Sequence, residues 1–142
     1  TEASKLNPDD SNIWFHLGQA QSHLSEIRKS RVSFEKSLEI EPNNSEALYA
    51  LGQAYRSLGE KEESRITLEK FKKIADFEKS KKTLQKQMSI RPNDLEIKKE
   101  LAVLFESNED YRSAAEVWQQ AAYFGDQNAQ LELERLKSKL NP

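Results

Sequence analysis

The sequence predicts an all-α protein, an α-solenoid built from stacked helical hairpins, and three observations lead to this fold class. The chain contains an internal repeat, since Pro8, Pro42 and Pro92 each stand two residues after a Leu or Ile and directly before an Asp or Asn. The first interval between these prolines is 34 residues, a period typical of helical-hairpin repeats. Between the prolines, apolar residues recur at helical spacing, which indicates helices with one buried face. Each hairpin of such an array buries its apolar face against its neighbours, so 142 residues suffice without one large core.

The composition excludes several classes of protein. Charged residues make up 32% of the chain and nearly balance, with a net charge of -2, so no strong field attracts nucleic acid or anionic lipid. The chain has no cysteine, which excludes disulfides and a thiolate nucleophile. No apolar run approaches the roughly 20 residues that a membrane-spanning helix needs. We therefore expect neither a nucleic-acid partner nor a membrane span.

Residues 1–10 are interpreted as the tail of a preceding repeat, and residues 11–44 as the first complete hairpin. Asp10 or the serine after it is expected to cap the first helix, and Ser25 the returning helix, because short polar side chains accept hydrogen bonds from free N–H groups there. The returning helix must end ahead of the proline that closes the repeat. Its apolar side is predicted to consist of Ile27, Val32, Phe34, Leu38 and Ile40.

Residues 45–92 form the second predicted repeat, whose returning helix is elongated. Asn44 or the serine after it is expected to cap the first helix, and Gly59 to supply a left-handed residue at the turn. From Gly59 to the next proline no helix breaker occurs, so one helix of about 45 Å is predicted for residues 60–90. A break near residues 75–77 is the alternative.

The second part of this long helix looks like a duplicated returning helix. Residues 79–93 echo residues 29–43, with Lys-Ser at the start, a lysine and an isoleucine in the same places, and Pro-Asn at the end. The interval between the second and third prolines is 50 residues, 16 more than one repeat. An inserted copy of a returning helix explains the difference.

Residues 93–126 form the third predicted repeat, and residues 127–142 a capping helix. Asp94 is expected to cap the first helix, Asn108 to adopt the left-handed conformation at the turn, and Gly125 to end the returning helix. In the last segment leucines recur among many charges, which is typical of a helix that covers the end of a solenoid.

The three units resemble the tetratricopeptide repeat, whose pattern has Trp, Leu-Gly and Tyr on the first helix, then Ala, a large apolar residue, Ala and Pro. The residues that carry the resemblance are Trp14, Leu17, Gly18, Phe34 and Pro42; Leu48, Leu51, Gly52, Tyr55 and Leu68; and Leu101, Ala102, Phe105, Ala114, Trp118 and Ala121. The places that depart from the pattern are Gln21, Ser30, Ser64 and Lys98. The resemblance implies a right-handed superhelical stack, in which Gly18 and Gly52 let paired helices approach closely.

The resemblance also implies a non-catalytic scaffold for protein–protein interaction. Such a scaffold binds an unidentified protein or peptide in a concave groove that is lined by the first helix of each hairpin. Amide side chains are prominent at the groove-facing places, with Phe15 and Tyr49 as aromatic anchors. The predicted peptide-binding residues are Asn12, Phe15, Gln19, His23, Tyr49, Gln53, Arg56 and Lys99.

The sequence predicts no enzyme activity, cofactor or metal. His16 and His23, the only two histidines, are seven residues apart on one helix, whereas helical metal pairs are usually three or four apart. The chain also lacks the motifs of catalytic nucleophiles and of glycine-rich phosphate loops.

Two other functions stay open at this point. The incomplete unit at the start of the chain is compatible with self-assembly into a homo-oligomer. A lysine-rich tract at residues 70–91 is compatible with polyanion binding. A solvated helix face explains the tract as well, because few aromatic residues lie between the lysines.

Overall fold

The computed structural model describes residues 8–141, and over that range the chain is all-α. Its helices are α1 (Ser11–His23), α2 (Ile27–Ile40), α3 (Ser45–Ser57), α4 (Lys61–Ile90), α5 (Leu95–Ser107), α6 (Tyr111–Tyr123) and α7 (Ala129–Leu140). The predicted fold class, with its elongated helix and its C-terminal helix, is confirmed. The interpretation of residues 1–7 as part of a preceding repeat lies outside the described residues.

The described residues form two compact units, 8–75 and 76–141. The boundary between them falls inside α4, which continues without interruption through residues 75–77. The alternative of a break at this point is wrong, because no proline or glycine occurs there and the backbone stays helical. α4 therefore contributes its first half to one unit and its second half to the other.

The residue two places after each repeat-closing proline caps the next helix. The Asp10 carboxylate accepts a hydrogen bond from the Asn12 N–H at 2.9 Å, and the Asn44 side chain accepts one from the Ala47 N–H at 3.0 Å. Asp94 caps α5 in the same way. These side chains satisfy N–H groups that a helix start leaves without intrahelical partners.

In four of the turns between helices, the residue directly after the C-cap has a left-handed conformation. Gly59 and Gly125 take this conformation as predicted, with φ angles of 78° and 97°. At the two other turns the left-handed residues are Ser25 and Glu109, with φ angles of 60° and 59°. Ser25 is therefore a turn residue and not the expected cap. The prediction for Asn108 is wrong by one position, because Asn108 is the C-cap of α5, with a φ angle of -100°, and the left-handed residue follows it.

Phe15, Phe34, Ala47, Leu51 and Ala54 form the core of the first unit. The rings of Phe15 and Phe34 are 5.9 Å apart at their centroids. α1 and α3 both pack on α2, and α1 also contacts α3. The first helices of two successive hairpins thus lie next to each other.

Two glycines allow the helices of each hairpin in this unit to touch. A Cβ atom at Gly18 would lie 2.6 Å from Cε1 of Phe34, and one at Gly52 would lie 2.5 Å from Cδ2 of Leu68. Both distances are far below van der Waals contact, so a larger residue would force the paired helices apart.

Serines replace alanine on the buried face of the returning helices. Ser30 and Ser64 are buried, and their hydroxyls donate to the carbonyl oxygens of Ile27 at 3.1 Å and of Gly52 at 2.9 Å. Because each hydroxyl has a partner, these departures from the repeat pattern leave no unsatisfied donor in the core.

Further hydroxyls join α1 to α2. Ser33 donates to Oε1 of Gln21 at 2.6 Å, and the hydroxyls of Ser37 and Ser11 are 3.1 Å apart. The surface of α2 that faces α1 is therefore more polar than the sequence predicted.

Two residues that the sequence placed on the apolar side of α2 lie outside the core. Val32 and Ile40 are exposed. The reason is that the buried stripe of α2 is narrow, and Phe34 is the one fully buried large apolar side chain among its residues.

The second unit has a core of its own, built mainly from α5, α6 and α7. Leu101, Trp118 and Leu136 are its large buried side chains, and alanines and a valine fill the space between them. Leu84 and Met88, on the second half of α4, pack against this cluster. α7 covers α6 and so takes the position of the predicted capping helix.

A polar network in the first unit links α2, α3 and the start of α4. The hydroxyl of Tyr55 donates to Oε1 of Glu35 at 2.8 Å, and Nη1 of Arg31 donates to Oε1 of Glu60 at 2.9 Å. Nε of Arg31 lies 3.7 Å from Oε1 of Glu35. Burial, followed by the hydrogen bond to Glu35 and the charge of that carboxylate, raises the pKa of Tyr55 from 10.0 to about 12.

We expect this network to lose stability at alkaline pH. The pKa of Tyr55 is higher in the folded chain, so its contribution is fully present below pH 10.0 and is lost as the pH rises through about 12. Urea unfolding on the two sides of pH 10.0 should show a smaller alkaline loss for Tyr55→Phe than for the wild type, because phenylalanine has no proton to release. Equal losses in the two proteins would contradict the assignment.

Candidate functional site

A groove runs between α1 and α3 in the first unit, and we call it the α1–α3 groove. It consists of two adjoining cavities of about 400 Å³ and about 180 Å³. Gln19 and Ala50 line both cavities, so the groove is continuous. Phe71 of α4 also lines the larger cavity, and Ile27 and Phe34 of α2 line the smaller one.

Helical spacing explains why these side chains share one groove. On α1, Phe15, Gln19 and His23 follow one another at intervals of four residues. On α3, Tyr49 and Gln53 are also four residues apart. Residues at this interval lie on the same face of a helix, and the two faces point toward each other because α1 and α3 lie side by side.

Five of the predicted peptide-binding residues line the α1–α3 groove. These are Phe15, which is buried, and Gln19, His23, Tyr49 and Gln53. Gln19 and Gln53 each carry an amide donor and an amide acceptor, which match the hydrogen-bonding groups of a peptide backbone. The carboxylate of Glu46 lies at the edge of the larger cavity.

Tyr49 is the aromatic side chain that this groove presents. It is 49% exposed, and its ring lies 5.3 Å from that of Phe71 at a tilt of 53°. The contact fixes the Tyr49 ring at the wall of the groove without burying it. Phe71 was not among the predicted site residues, although its spacing of three from Leu68 places it on the inner side of α4.

Phe15 does not have the exposed position that the resemblance implied. Its side chain is only 6% exposed and belongs to the core of the first unit. Its ring packs against that of Phe34, and the small side chain of Ala47 belongs to the same buried cluster. Phe15 thus forms part of the floor of the larger cavity and is not a free anchor.

Asn12 and Arg56 lie on α1 and α3 but line neither cavity. Both side chains are exposed. The structure therefore places these two predicted residues beside the groove and not in it.

Lys99 belongs to the second unit and lines neither cavity of the α1–α3 groove. Its Nζ lies 3.2 Å from Oε1 of Glu96 and 3.2 Å from Oδ2 of Asp126. The other oxygen of Asp126 accepts the N–H groups of Asn128 at 2.8 Å and Ala129 at 3.2 Å, at the start of α7. Lys99 is therefore engaged in holding the turn before the last helix.

The contact between Lys99 and Asp126 favours the charged form of both side chains, and their pKa values shift accordingly. Hydrogen bonds to Asp126 and then to Glu96 raise the pKa of Lys99. Burial acts to raise the pKa of Asp126. The hydrogen bond from the Asn128 N–H and the ammonium of Lys99 act to lower it, and together they outweigh burial, so the net change in the pKa is downward.

Several cations of the lysine-rich tract are also occupied within the chain. Nζ of Lys70 donates to the carbonyl oxygen of Pro42 at 2.9 Å, and Lys81 pairs with Glu78 at 2.8 Å. In the described residues no group of three His, Cys, Asp or Glu side chains could hold a metal ion. No helix of residues 8–141 has the length and apolar character needed to cross a membrane.

The second unit contains a groove that the sequence did not predict. It measures about 830 Å³ and lies between the second half of α4 and α5, so we call it the α4–α5 groove. Its residues are Asp76, Lys79, Ser80, Thr83, Leu84 and Gln87 from α4 and Lys99, Glu100, Val103, Leu104 and Ser107 from α5.

Comparison with known proteins identifies a repeat family and a set of similar folds. Two family models, each described as Tetratricopeptide repeat, match residues 11–44 and 33–66. A search of curated proteins found no match.

Among solved structures, the chain is similar to the crystal structure of MamA, with 17% identity, 89% of this chain covered and a TM-score of 0.47. It spans 65% of that MamA chain, less than two thirds of its length. It is also similar to YrrB, described as a TPR protein with an unusual peptide-binding site, at 17% identity, with 88% of this chain and 74% of that chain covered and a TM-score of 0.48. The MamA RS-1 ArsTM double mutant matches at 16% identity, with 99% and 71% covered and a TM-score of 0.47.

Proposed function

Because the chain belongs to the tetratricopeptide repeat family, we propose that it is a non-catalytic scaffold that binds a segment of a partner protein in the α1–α3 groove. Repeats of this family are generally interaction modules without catalytic activity. The partner is accordingly a protein or peptide.

The observation that carries this proposal is the continuity of the groove. The two cavities share Gln19 and Ala50, so one peptide segment can run from Tyr49 to Gln53 without leaving the surface. Gln19 and Gln53 can each donate to and accept from a backbone amide, which gives affinity with little dependence on sequence. Tyr49 supplies a large contact area to a bound peptide. Its ring packs against that of Phe71, so little conformational freedom is lost when the peptide binds.

The direct test is the double variant Tyr49→Ala, Gln53→Ala. We expect it to lower affinity for the partner by at least about tenfold, since a central aromatic side chain alone often contributes more than about 1 kcal/mol. The partner is first captured by a photo-crosslinking phenylalanine analogue placed at Tyr49, and affinity is then measured by calorimetry with the purified partner.

The matched control is the same crosslinker at Val32, which is exposed on α2 and lines neither cavity. A protein captured from both positions is not a groove ligand. Affinity that stays unchanged in the double variant, with circular dichroism showing an intact fold, would remove the groove from the proposal.

A further inference from the structure

We propose that the α4–α5 groove of the second unit is a docking slot for an amphipathic α-helix of a partner polypeptide. This helix takes the place that a hairpin's first helix takes in the first unit. The slot lies in residues 76–107 and is separate from the α1–α3 groove, so it stands independently of the function proposed above.

The second half of α4 carries the same surface that α2 presents to its partner helix. Residues 79–93 echo residues 29–43, so a shift of 50 positions relates the two helices. This shift pairs Ser30, Ser33, Phe34 and Ser37 of α2 with Ser80, Thr83, Leu84 and Gln87 of α4. The four α2 residues are buried, because α1 packs on that helix. Their four counterparts line the α4–α5 groove, where three of them are exposed and Leu84 is half-buried.

The same shift relates α3 to α5. Ala50, Gln53, Ala54 and Ser57 line the side of α3 next to α1, and their counterparts are Glu100, Val103, Leu104 and Ser107. All four counterparts line the α4–α5 groove. Val103 is 57% exposed there. Both walls of this groove are therefore surfaces that a first helix contacts in the first unit.

No helix in the described part of the second unit occupies this position. α6 packs on α5, and α7 packs on α6. Residues 79–93 resemble a returning helix, but α4 runs directly into them and no first helix precedes them there. From Asp76 to Gln87 the groove extends about 16 Å along α4, which is the length of three helical turns.

The first unit indicates which residues the docked helix needs. Gly18 of α1 lies against Phe34, so the partner helix needs a glycine or alanine where it crosses Leu84. Gln21 of α1 accepts from Ser33, and a polar residue in the same register would meet Thr83. A larger residue at the crossing would keep the helix out of the slot.

The charges along one edge of the slot add a further requirement. Three lysines, Lys79, Lys82 and Lys86, are spaced three and four residues apart on α4, and all three are exposed. Lys79 itself lines the groove. Acidic side chains along the corresponding edge of the partner helix would complement them.

A synthetic peptide of residues 9–25, which contains α1 and its cap, serves as the probe. The peptide is labelled with fluorescein and titrated with the full chain while anisotropy is recorded. We expect saturable binding that Thr83→Arg weakens by at least about tenfold, because the arginine fills the slot. Gln85→Arg adds the same charge on the opposite, exposed side of α4 and should leave binding within about twofold.

Two further variants keep the test decisive. Val103→Arg blocks the slot from α5, so it should reproduce the loss even if Thr83→Arg disturbs the fold. A probe peptide that carries Gly18→Leu should bind at least about tenfold more weakly than the original, since it has no small residue at the crossing. Circular dichroism of each protein variant checks that the fold is kept.

The absence of saturable binding, or equal binding by the wild type and both slot variants, overturns the proposal. Self-association of the chain in sedimentation experiments that Thr83→Arg abolishes would make a second copy the occupant and would overturn the assignment to a partner. The double variant Tyr49→Ala, Gln53→Ala should bind the probe normally, so the slot and the α1–α3 groove can fail independently.

Discussion

Replacing Gly18 with leucine is expected to lower the free energy of unfolding by about 3 kcal/mol, one of the two largest effects that the structure predicts. Even the first added carbon would lie 2.6 Å from Cε1 of Phe34, whose ring is buried in the core of the first unit. Leucine is favoured over glycine in a helix by roughly 1 kcal/mol, but this gain is smaller than the packing penalty. Urea denaturation followed by circular dichroism measures the change.

Two controls separate the packing penalty from a general effect of the substitution. Ala20→Leu places the same side chain two residues away on an exposed position of α1 and should change stability by less than about 0.5 kcal/mol. Combining Gly18→Leu with Phe34→Ala should cost less than the sum of the single variants, because the second change removes the obstacle. Strict additivity would show that Gly18 and Phe34 do not constrain each other.

The second large effect is expected for Leu136→Ala, which should lower the free energy of unfolding by roughly 2 to 4 kcal/mol. Leu136 is 0% exposed and is the largest α7 side chain in the buried core that contains Leu101 and Trp118. Removing most of its side chain leaves a cavity between α7 and the helices beneath it. Thermal unfolding, with circular dichroism as the signal, measures the loss.

Leu131→Ala is the matched control for this prediction, since it makes the same change on the same helix. Leu131 is 68% exposed, so its truncation removes little buried surface and should have an effect below about 0.5 kcal/mol. If both substitutions destabilised the chain equally, α7 would not act as a cap that is anchored through Leu136.

The helix boundaries were predictable because they depend on local chemistry. Asp10, Asn44 and Asp94 each follow a proline at the same distance and cap the next helix through their own side chains. The continuity of α4 follows from the absence of glycine and proline over residues 60–90. Each of these features involves residues that are close in the sequence.

Other features depended on contacts that a sequence pattern does not contain. The choice between Asn108 and Glu109 as the left-handed residue depends on where the last hydrogen bond of α5 forms. The inward position of Phe15 depends on the space beside Phe34.

The candidate site was likewise predictable where helical spacing decides which side chains lie together. Gln19, His23, Tyr49 and Gln53 share the α1–α3 groove because helical spacing puts them on facing sides of α1 and α3. Lys99 differs because its partner is Asp126, 27 positions later in the chain, and nothing in the spacing of the repeats relates the two residues. The α4–α5 groove was not predicted, since the resemblance of residues 79–93 to a returning helix does not reveal whether a first helix covers them.

The position of the unit boundary within α4 divides that helix into two segments that different cores stabilise. Each segment contains about fifteen residues, a length at which an isolated helix is only marginally stable in water. The first segment therefore depends on contacts such as that of Leu68 with Gly52, and the second on the packing of Leu84 and Met88 against the core of its own unit. A substitution that loosens one core should fray the segment of α4 that belongs to it.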